Sequence, residues 1–205
     1  VRGFQGDDLS RPDALAACAK HFVGYGASEG GRDYGFVGIP EVELRNVYMP
    51  PFKAAVDAGV ATFMTAFSDV NGVPASGNRF LMQTVLRDEW KFPGFVVSDW
   101  ESILDMVVHG FAASESDAAF EALNAGVDME MASTTYRDHL PGLLAGKRID
   151  QATLDTAVRN VLRVKFRLGL FERTITDPAA FPAVASAKNF ALARTLTTQS
   201  LVLLQ

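Results

Sequence analysis

The feature that most constrains the fold is a repeated alternation between short apolar segments and longer segments with helical hydrophobic spacing. Strands are predicted at residues 17–23, 61–67, 95–98 and 127–131, where the near-continuous apolar character suits strands covered on both faces. Helices are predicted between and after them at 41–58, 79–90, 103–108, 115–125 and 136–145. Such an alternation is typical of a parallel α/β fold, in which helices cover the sheet.

A longer helix is predicted at 151–168, with signals at both ends. Asp150 occupies the position of a helix cap, and Gly169 follows a basic last turn that contains Arg163, Lys165 and Arg167. These signals favour a helix that begins after Asp150 and ends shortly before Gly169.

The chain is expected to divide into three parts. Residues 1–172 are predicted to form part of a barrel, 173–188 a proline-interrupted linker, and 189–205 the beginning of a second α/β domain. Four strand–helix units are half of the eight that close a (β/α)8 barrel. The predicted fold class is therefore α/β, with the carboxyl-terminal half of a TIM-like barrel followed by the start of a second domain, as in a fragment of a longer protein.

Composition excludes several function classes. The 205 residues are 48% apolar, with a formal net charge of −5 and a pI near 5.2, and they contain no cluster of lysines and arginines. This balance argues against a nucleic-acid surface or a polybasic membrane contact and fits small neutral or sugar-like partners better. The single cysteine, Cys18, excludes an internal disulfide, and its place in an apolar strand predicts a buried, unreactive thiol.

Metal and cofactor chemistry has little support in the sequence. Three histidines are present, His21, His109 and His139, and none lies at the spacing of a close ligand pair. We therefore expect no metal site and no cofactor. His109 and His139 are interpreted as surface or packing residues.

Polar side chains follow two of the predicted strands. Asp99 ends the apolar run of the third strand, and Lys20 and His21 lie at the end of the first. Because the carboxyl ends of parallel barrel strands face one mouth, these residues should be neighbours, together with Phe67 and Trp100. A carboxylate beside an indole and polar donors suits a sugar ring, which has hydroxyls to bind and an apolar face to cover.

Each of these residues also has a purely structural interpretation. Asp99 could cap the following helix, since Ser-Asp before an apolar segment is a helix-start signal. Lys20 and His21 could form a salt-bridged rim, and Trp100 could pack a helix against the barrel. Residues 24–31 form a glycine-rich loop that lacks the lysine-serine/threonine ending of a phosphate loop. That loop is predicted to shape a pocket, with 32–34 as possible polar lining.

Several segments together resemble a known family. In chain order they read KHFVGYGASEGG, YMPPFKAAVDAG, FMTAFSDVNGVPAS, VLRDEWKFPGFVVSDW, NAGVDMEM and SLVLLQ. These segments are similar to the sequence blocks of glycoside hydrolase family 3, specifically its bacterial two-domain β-glucosidases, and they span nearly the whole chain.

The resemblance implies a role for each candidate residue. The barrel aspartate of the family's Ser-Asp motif is the nucleophile of a retaining mechanism, and it corresponds to Asp99. The family's substrate-binding positions correspond to five residues: Lys20, His21, Met64, Phe67 and Trp100. Many members have tyrosine where Phe67 stands, so a hydroxyl contact from that position is not implied here.

A retaining glycosidase also needs a second carboxyl group as acid and base. In two-domain members this glutamate usually comes from the second domain, which places it beyond Gln205. Glu101 and Glu130 are the best alternatives within the chain, but Glu101 is interpreted as favouring the next helix start and Glu130 as part of a buried polar network. The loop after His21 has no further histidine, which disfavours the branch that hydrolyses N-acetylglucosaminides.

The resemblance predicts a retaining exo-acting β-glucosidase that removes terminal β-linked glucose from oligosaccharides or glycosides. The alternatives are a β-xylosidase or mixed-specificity exo-glycosidase of the same family and a non-catalytic sugar-binding barrel. The implied partners are the glycoside substrate and the remaining barrel half and second domain of the same enzyme, without nucleic acid or membrane. The chain alone is expected to be inactive, and relatives of this type suggest a secreted or periplasmic protein.

Overall fold

The computed structural model describes residues 1–175, 177–180 and 185–203. It separates into two compact units, Val1–Phe171 and Glu172–Gln205. Part of the predicted linker, at 176 and 181–184, and the last two residues of the predicted second domain, 204 and 205, lie outside the described residues.

A parallel sheet forms the centre of the first unit. The strands of this unit are β1 Cys18–Phe22, β2 Phe36–Val37, β3 Thr62–Thr65, β4 Asp69–Val70, β5 Val73–Pro74, β6 Phe95–Trp100 and β7 Met129–Met131. The central sheet has the strand order β1-β3-β6-β7, and every neighbouring pair is parallel. A smaller sheet pairs β2 with β4 in parallel and β4 with β5 as a hairpin. The four predicted strands and the parallel α/β class are confirmed.

Helices connect the strands of the main sheet. In the first unit they are α1 Arg2–Gln5, α2 Glu41–Glu43, α3 Pro50–Asp57, α4 Asp105–Val108, α5 Glu115–Ala125, α6 Thr135–Ala145 and α7 Gln151–Arg167. Two segments, Leu44–Tyr48 and Phe80–Glu89, are π-helical, and short 3₁₀ turns lie at Tyr25–Ala27, Glu29–Gly31 and Ala75–Gly77. In the second unit, a 3₁₀ turn at Pro178–Ala180 precedes α8, Ala187–Ser200.

The predicted helix 41–58 is not continuous. It is divided between α2, the π-helical turn and α3, and the amide of Met49 bonds the carbonyl of Leu44 five residues back. Pro50 begins α3, a position that suits proline because its missing N–H needs no helical partner there. The proline pair therefore starts a new helix instead of continuing the earlier one.

Two expectations about β1 were wrong. The strand is not covered on both faces, since its residues alternate between exposed and partly buried up to Phe22, and Cys18 is exposed. The physical reason is the strand order, because β1 pairs with β3 alone and has no second neighbour among the described residues. Burial of a strand depends on its neighbours as well as on its own apolar character.

An aromatic cluster fills the space between the sheet and its helices. Phe22 and Phe63 are fully buried, with ring centroids 5.4 Å apart and a nearly perpendicular arrangement. Phe63 also meets Phe92 at 4.9 Å, and Phe22 meets Phe52 at 5.1 Å. Edge-to-face pairs of this kind add about 0.5–1.5 kcal/mol each beyond their burial. They hold β1 and β3 against α3, which carries Phe52.

A buried carboxylate joins β6 and β7 to two helices. Asp128 accepts hydrogen bonds from Arg87 at 2.6 Å, from the amide of Val96 at 2.8 Å and from Asn160 at 2.9 Å. Arg87 also donates to two backbone carbonyls. Because both charged groups have several partners, burial of this pair leaves neither charge uncompensated.

The predicted cap of α7 is confirmed. Asp150 accepts a hydrogen bond from the amide of Thr153 at 2.7 Å, and Gly169 adopts a left-handed φ of 65° just after the helix. In the second unit, Ser186 caps α8 in the same way through the amide of Asn189. Over the described residues, neither these helices nor the others combine the length and apolar character needed to cross a membrane.

Candidate active site

The sheet becomes irregular at the carboxyl end of β6. The register of β3 against β6 runs to Met64 opposite Val97, and the register of β6 against β7 shifts between Val97 and Trp100. Asp99 lies within this irregular stretch and is 93% buried, with 7% of its surface exposed. The Asp99 carboxylate therefore lies at a strand end where the regular backbone pairing between strands is interrupted.

The two oxygens of the Asp99 carboxylate have different surroundings. Its amide donates to Oγ1 of Thr65 at 3.2 Å, and its Oδ1 accepts from the amide of Trp100 at 2.7 Å. Its Oδ2 has no hydrogen-bond donor among the described residues. The next helix begins at Asp105 without a side-chain cap, so Asp99 does not serve as a helix cap.

His21 is the described residue that approaches the free oxygen. Its Nε2 lies 3.3 Å from Oδ2 of Asp99, within ion-pair distance but without hydrogen-bond alignment. The imidazole is 26% exposed, and the peptide bonds Lys20–His21 and Phe22–Val23 are cis. Thus the structure brings the predicted imidazole and carboxylate together.

Lys20 is placed differently. It is exposed on β1, and no ion pair joins its ammonium to Asp99 in the part of the chain that the structure describes. Of the two residues interpreted as a salt-bridged rim, His21 makes an ion-pair contact and Lys20 makes none in the described part of the chain. Lys20 itself is an exposed residue that directly precedes His21 on β1.

Aromatic rings extend from His21 along one side of the site. Tyr25 lies 4.8 Å from the imidazole, and its hydroxyl donates to Asp33. Tyr25 approaches Phe67 at 6.3 Å, and Phe67 packs on Tyr34 at 4.4 Å. These rings form an aromatic wall beside His21.

Trp100 and Met64 complete the set of predicted site residues. Trp100 is 61% exposed, which contradicts its interpretation as a helix-packing residue. Met64 is buried on β3 and pairs in register with Val97, two residues before Asp99. The methionine therefore lies beneath the site, whereas the indole is at its surface.

Tyr34 stands close to several carboxylates. Partial burial raises the pKa of Tyr34, and the nearby carboxylates of Asp105, Asp33, Asp99 and Glu101 raise it further. Burial likewise raises the pKa of Asp105. An ordinary tyrosine is already protonated at neutral pH, and these effects move the pKa of Tyr34 further in that direction.

Glu130 and Glu101, the two other acidic residues considered above, make structural contacts. Glu130 accepts hydrogen bonds from the amides of Thr135 at 3.0 Å and Tyr136 at 2.7 Å, so both its oxygens hold the start of α6. Glu101 has a left-handed φ of 56°, and its amide donates to the carbonyl of Met131. The engaged carboxylate of Glu130 agrees with its interpretation as part of a polar network.

His109 and His139 lie outside the candidate site. His109 Nδ1 is 2.7 Å from Asp69 and joins the β4 hairpin to the end of α4, whereas His139 approaches Glu115 at the surface. Among the described residues, no three His, Cys, Asp or Glu side chains converge as metal ligands.

Three buried hydroxyl groups next to Asp99 were not predicted as site residues. They belong to Thr65, Ser76 and Ser102 and contact one another. Thr65 is one of two threonines in the apolar run 61–67, at the last residue of β3, and a hydroxyl within such a run is a signal that could have indicated it. Ser76 and Ser102 lie in loops and carry no comparable signal.

The sequence was compared with family models. The model described as "Glycosyl hydrolase family 3 N terminal domain" matches residues 1–164, four-fifths of the chain. This chain belongs to glycoside hydrolase family 3. Its parallel α/β architecture agrees with that membership, and the resemblance seen in the sequence motifs is confirmed.

Family 3 relatives include enzymes of two named specificities. The chain is 44% identical over 171 residues to a periplasmic beta-glucosidase of Salmonella typhimurium, covering 83% of this chain and 22% of the relative. It is 35% identical over its whole length to a putative beta-xylosidase of Formosa agariphila, covering 28% of that protein.

Solved family 3 structures have the same fold. A beta-glucosidase from Listeria innocua superposes with a TM-score of 0.94 at 37% identity, over 100% of this chain and 29% of the other. The same enzyme has been crystallised with isofagomine and, as a mutant, with laminaribiose. The chain thus spans between about a fifth and a third of the length of these relatives.

Proposed function

We propose that the protein is a retaining β-glycosidase that removes terminal β-linked glucose, with Asp99 as its nucleophile. The observation that carries the proposal is the free Oδ2 of a buried Asp99 at the carboxyl end of a parallel strand, beside His21. An attacking carboxylate needs one oxygen fixed and the other open, and Asp99 has this arrangement.

The reaction is a double displacement. Oδ2 of Asp99 attacks the anomeric carbon, the bond to the leaving oxygen breaks, and a glycosyl ester forms. The departing oxygen takes a proton from a carboxylic acid, and that group then removes a proton from the water that cleaves the ester. The sugar leaves with its configuration retained.

The surrounding side chains suit a bound sugar. We assign hydroxyl binding to His21 and Lys20, and stacking at the substrate mouth to Trp100. Phe67 lines the same subsite with Met64 beneath it. The exposed indole and the packing of Phe67 on Tyr34 support these roles.

The remaining parts of the enzyme belong to the proposal. We propose that residues 1–172 form the carboxyl-terminal half of a (β/α)8 barrel, that 173–188 are a linker, and that 189–205 begin a second α/β domain. One edge of β1 pairs with no other strand among the described residues, which supports completion of the sheet by further strands. The acid/base glutamate is assigned beyond Gln205, and both oxygens of Glu130 are already engaged, which supports this choice. The isolated 205-residue chain is accordingly expected to be inactive.

A β-xylosidase is the second candidate. The identity of 35% to a putative beta-xylosidase of Formosa agariphila favours it, whereas the identity of 44% to the Salmonella typhimurium beta-glucosidase favours glucose. The latter relative is described as periplasmic, which supports a secreted or periplasmic location for this protein.

A substrate comparison tests the proposed function. The full-length protein is assayed with aryl β-glucoside and aryl β-xyloside, and the anomer first released is identified by proton NMR. We expect faster turnover of the β-glucoside and initial release of the β-anomer. Preferential xyloside turnover would support the second candidate, and initial release of the α-anomer would contradict a retaining mechanism.

A further inference from the structure

Three hydroxyl groups form a small buried cluster under the nucleophile. Oγ1 of Thr65 lies 2.8 Å from Oγ of Ser76, Ser76 lies 2.7 Å from Ser102, and Ser102 lies 3.4 Å from Thr65. Their residues are 0%, 1% and 5% exposed. We call Thr65, Ser76 and Ser102 the hydroxyl ring.

Two ring residues contact the backbone of Asp99, Thr65 through its hydroxyl and Ser102 through its backbone amide. The amide of Asp99 donates to Oγ1 of Thr65 at 3.2 Å, and the carbonyl of Asp99 accepts from the amide of Ser102 at 3.2 Å. A hydroxyl has one hydrogen to donate and two lone pairs. Thr65 uses one lone pair for the Asp99 amide, which leaves its hydrogen and its second lone pair for Ser76 and Ser102.

These contacts lie where the regular backbone pairing of β6 with its neighbouring strands is interrupted. The β3–β6 register runs to Met64 opposite Val97, and the β6–β7 register shifts before Trp100. A side-chain oxygen of β3 thus holds the Asp99 amide beyond the last registered pair. The position of the carboxylate then depends on side chains from three separate segments.

We propose that Thr65, Ser76 and Ser102 are positioning residues that hold the carboxylate of Asp99 in the orientation for attack on the anomeric carbon. This inference rests on the proposed function. The ring acts through the Asp99 backbone and does not touch substrate. Loss of a ring hydroxyl therefore lowers the rate of attack more than it weakens sugar binding.

Thr65→Val is the main test, because valine keeps the shape and removes the hydroxyl. Thr65→Ser restores the hydroxyl and serves as the conservative rescue. Ser68→Ala is the matched control, since Ser68 is also fully buried and its hydroxyl has no partner in the described part of the chain. The Ser68→Ala control removes a buried hydroxyl three residues after Thr65 without changing any contact of Asp99 among the described residues.

The readout is trapping of the full-length enzyme by a 2-deoxy-2-fluoro-β-glucoside with a good leaving group, which separates attack from binding. We expect Thr65→Val to slow inactivation at saturation on the order of 10- to 100-fold, as a small misplacement of a reacting group does. The dissociation constant should change less than about twofold. Thr65→Ser and Ser68→Ala should retain near-normal rates.

The result that overturns the inference is a folded Thr65→Val enzyme that is trapped at the wild-type rate, or an equal loss in Ser68→Ala. If Thr65→Val does not fold, Ser76→Ala and Ser102→Ala answer the question, because each breaks the ring and leaves the bond from the Asp99 amide to Thr65. Slower inactivation with retained binding in these two variants supports the positioning role, and unchanged rates in both variants overturn it.

The same experiment separates this inference from the proposed function. If the wild-type enzyme gains no sugar on Asp99, the proposed function itself fails. If the wild-type enzyme is labelled on Asp99 and the variants are labelled at the same rate, only the inference about the hydroxyl ring fails.

Discussion

The Nε2 atom of His21 lies 3.3 Å from Oδ2 of Asp99, the oxygen that no described residue supplies with a hydrogen bond. His21 lies on the edge strand β1, and Asp99 lies two strands away on β6, with β3 between them. The parallel arrangement brings both strand ends to the same edge of the sheet. The imidazole therefore lies beside the carboxylate that we propose as the nucleophile and is placed to influence its orientation.

Replacement of His21 by alanine should impair catalysis strongly. We expect kcat/KM to fall on the order of 10- to 100-fold, because the variant loses the imidazole beside Oδ2 of Asp99 and its proposed hydrogen bond to a sugar hydroxyl, and a polar group left without its partner costs about 1–3 kcal/mol. His139→Ala is the matched control, because that imidazole lies near the surface beside Glu115. Steady-state kinetics of the full-length enzyme make the comparison. Equal activities of the two variants would contradict a role for His21 in the site.

Replacement of Trp100 by alanine should weaken substrate binding without destabilising the protein. The indole is 61% exposed, so its removal deprives the core of little packing. We expect KM to rise on the order of 10-fold through loss of stacking, with an unchanged thermal midpoint. A large fall in the thermal midpoint with an unaltered KM would instead assign the indole to packing.

Replacement of Asp128 by alanine should destabilise the first unit. The change leaves the Arg87 guanidinium buried without its carboxylate and removes the acceptor for Asn160 and the Val96 amide. We expect a loss of about 3 kcal/mol or more in the free energy of unfolding, measured by urea denaturation. Asp13→Ala, which breaks an exposed ion pair with Arg11, should cause no measurable change. Similar stabilities for both variants would contradict the structural role of Asp128.

The cap of α7 should make stability depend on pH in the acid range. Hydrogen bonding to Thr153 lowers the pKa of Asp150, so the folded state favours the charged carboxylate. This stabilisation is complete above the ordinary aspartate pKa of about 3.9 and is lost as the pH falls through the lower folded pKa. The stability difference between wild type and Asp150→Asn should therefore be constant near neutral pH and shrink in acid. A difference that stays constant down to about pH 2 would contradict this linkage.

The sequence predicted the sheet well because the strands are short, apolar and separated by helical spacing. Proximity of His21 and Asp99 followed from the rule that parallel strands present their carboxyl ends at one edge. The same rule does not fix the direction in which the Lys20 side chain points, since the register of β1 against β3 shifts between Ala19 and Phe22. A one-residue change in a strand moves a side chain to the other face, and sequence spacing does not reveal such a shift.

Two other features depend on tertiary structure. Cys18 stands in an apolar run, yet it is exposed because β1 has one neighbour among the described strands. The hydroxyl ring joins residues from β3, from the turn Ala75–Gly77 and from the segment after β6. These segments are 11 and 26 residues apart along the chain, and no local pattern links them. Such clusters become visible only once the packing is known.

The most direct test of the central claim is identification of the nucleophile. The full-length protein is incubated with a 2-deoxy-2-fluoro-β-glucoside, digested and examined by mass spectrometry, with a known retaining β-glucosidase labelled alongside. We predict one covalent fluoroglucosyl group on the peptide that contains Asp99, and none in Asp99→Asn. An adduct on another carboxylate, with Asp99 unmodified, would contradict the assignment of Asp99 as the nucleophile.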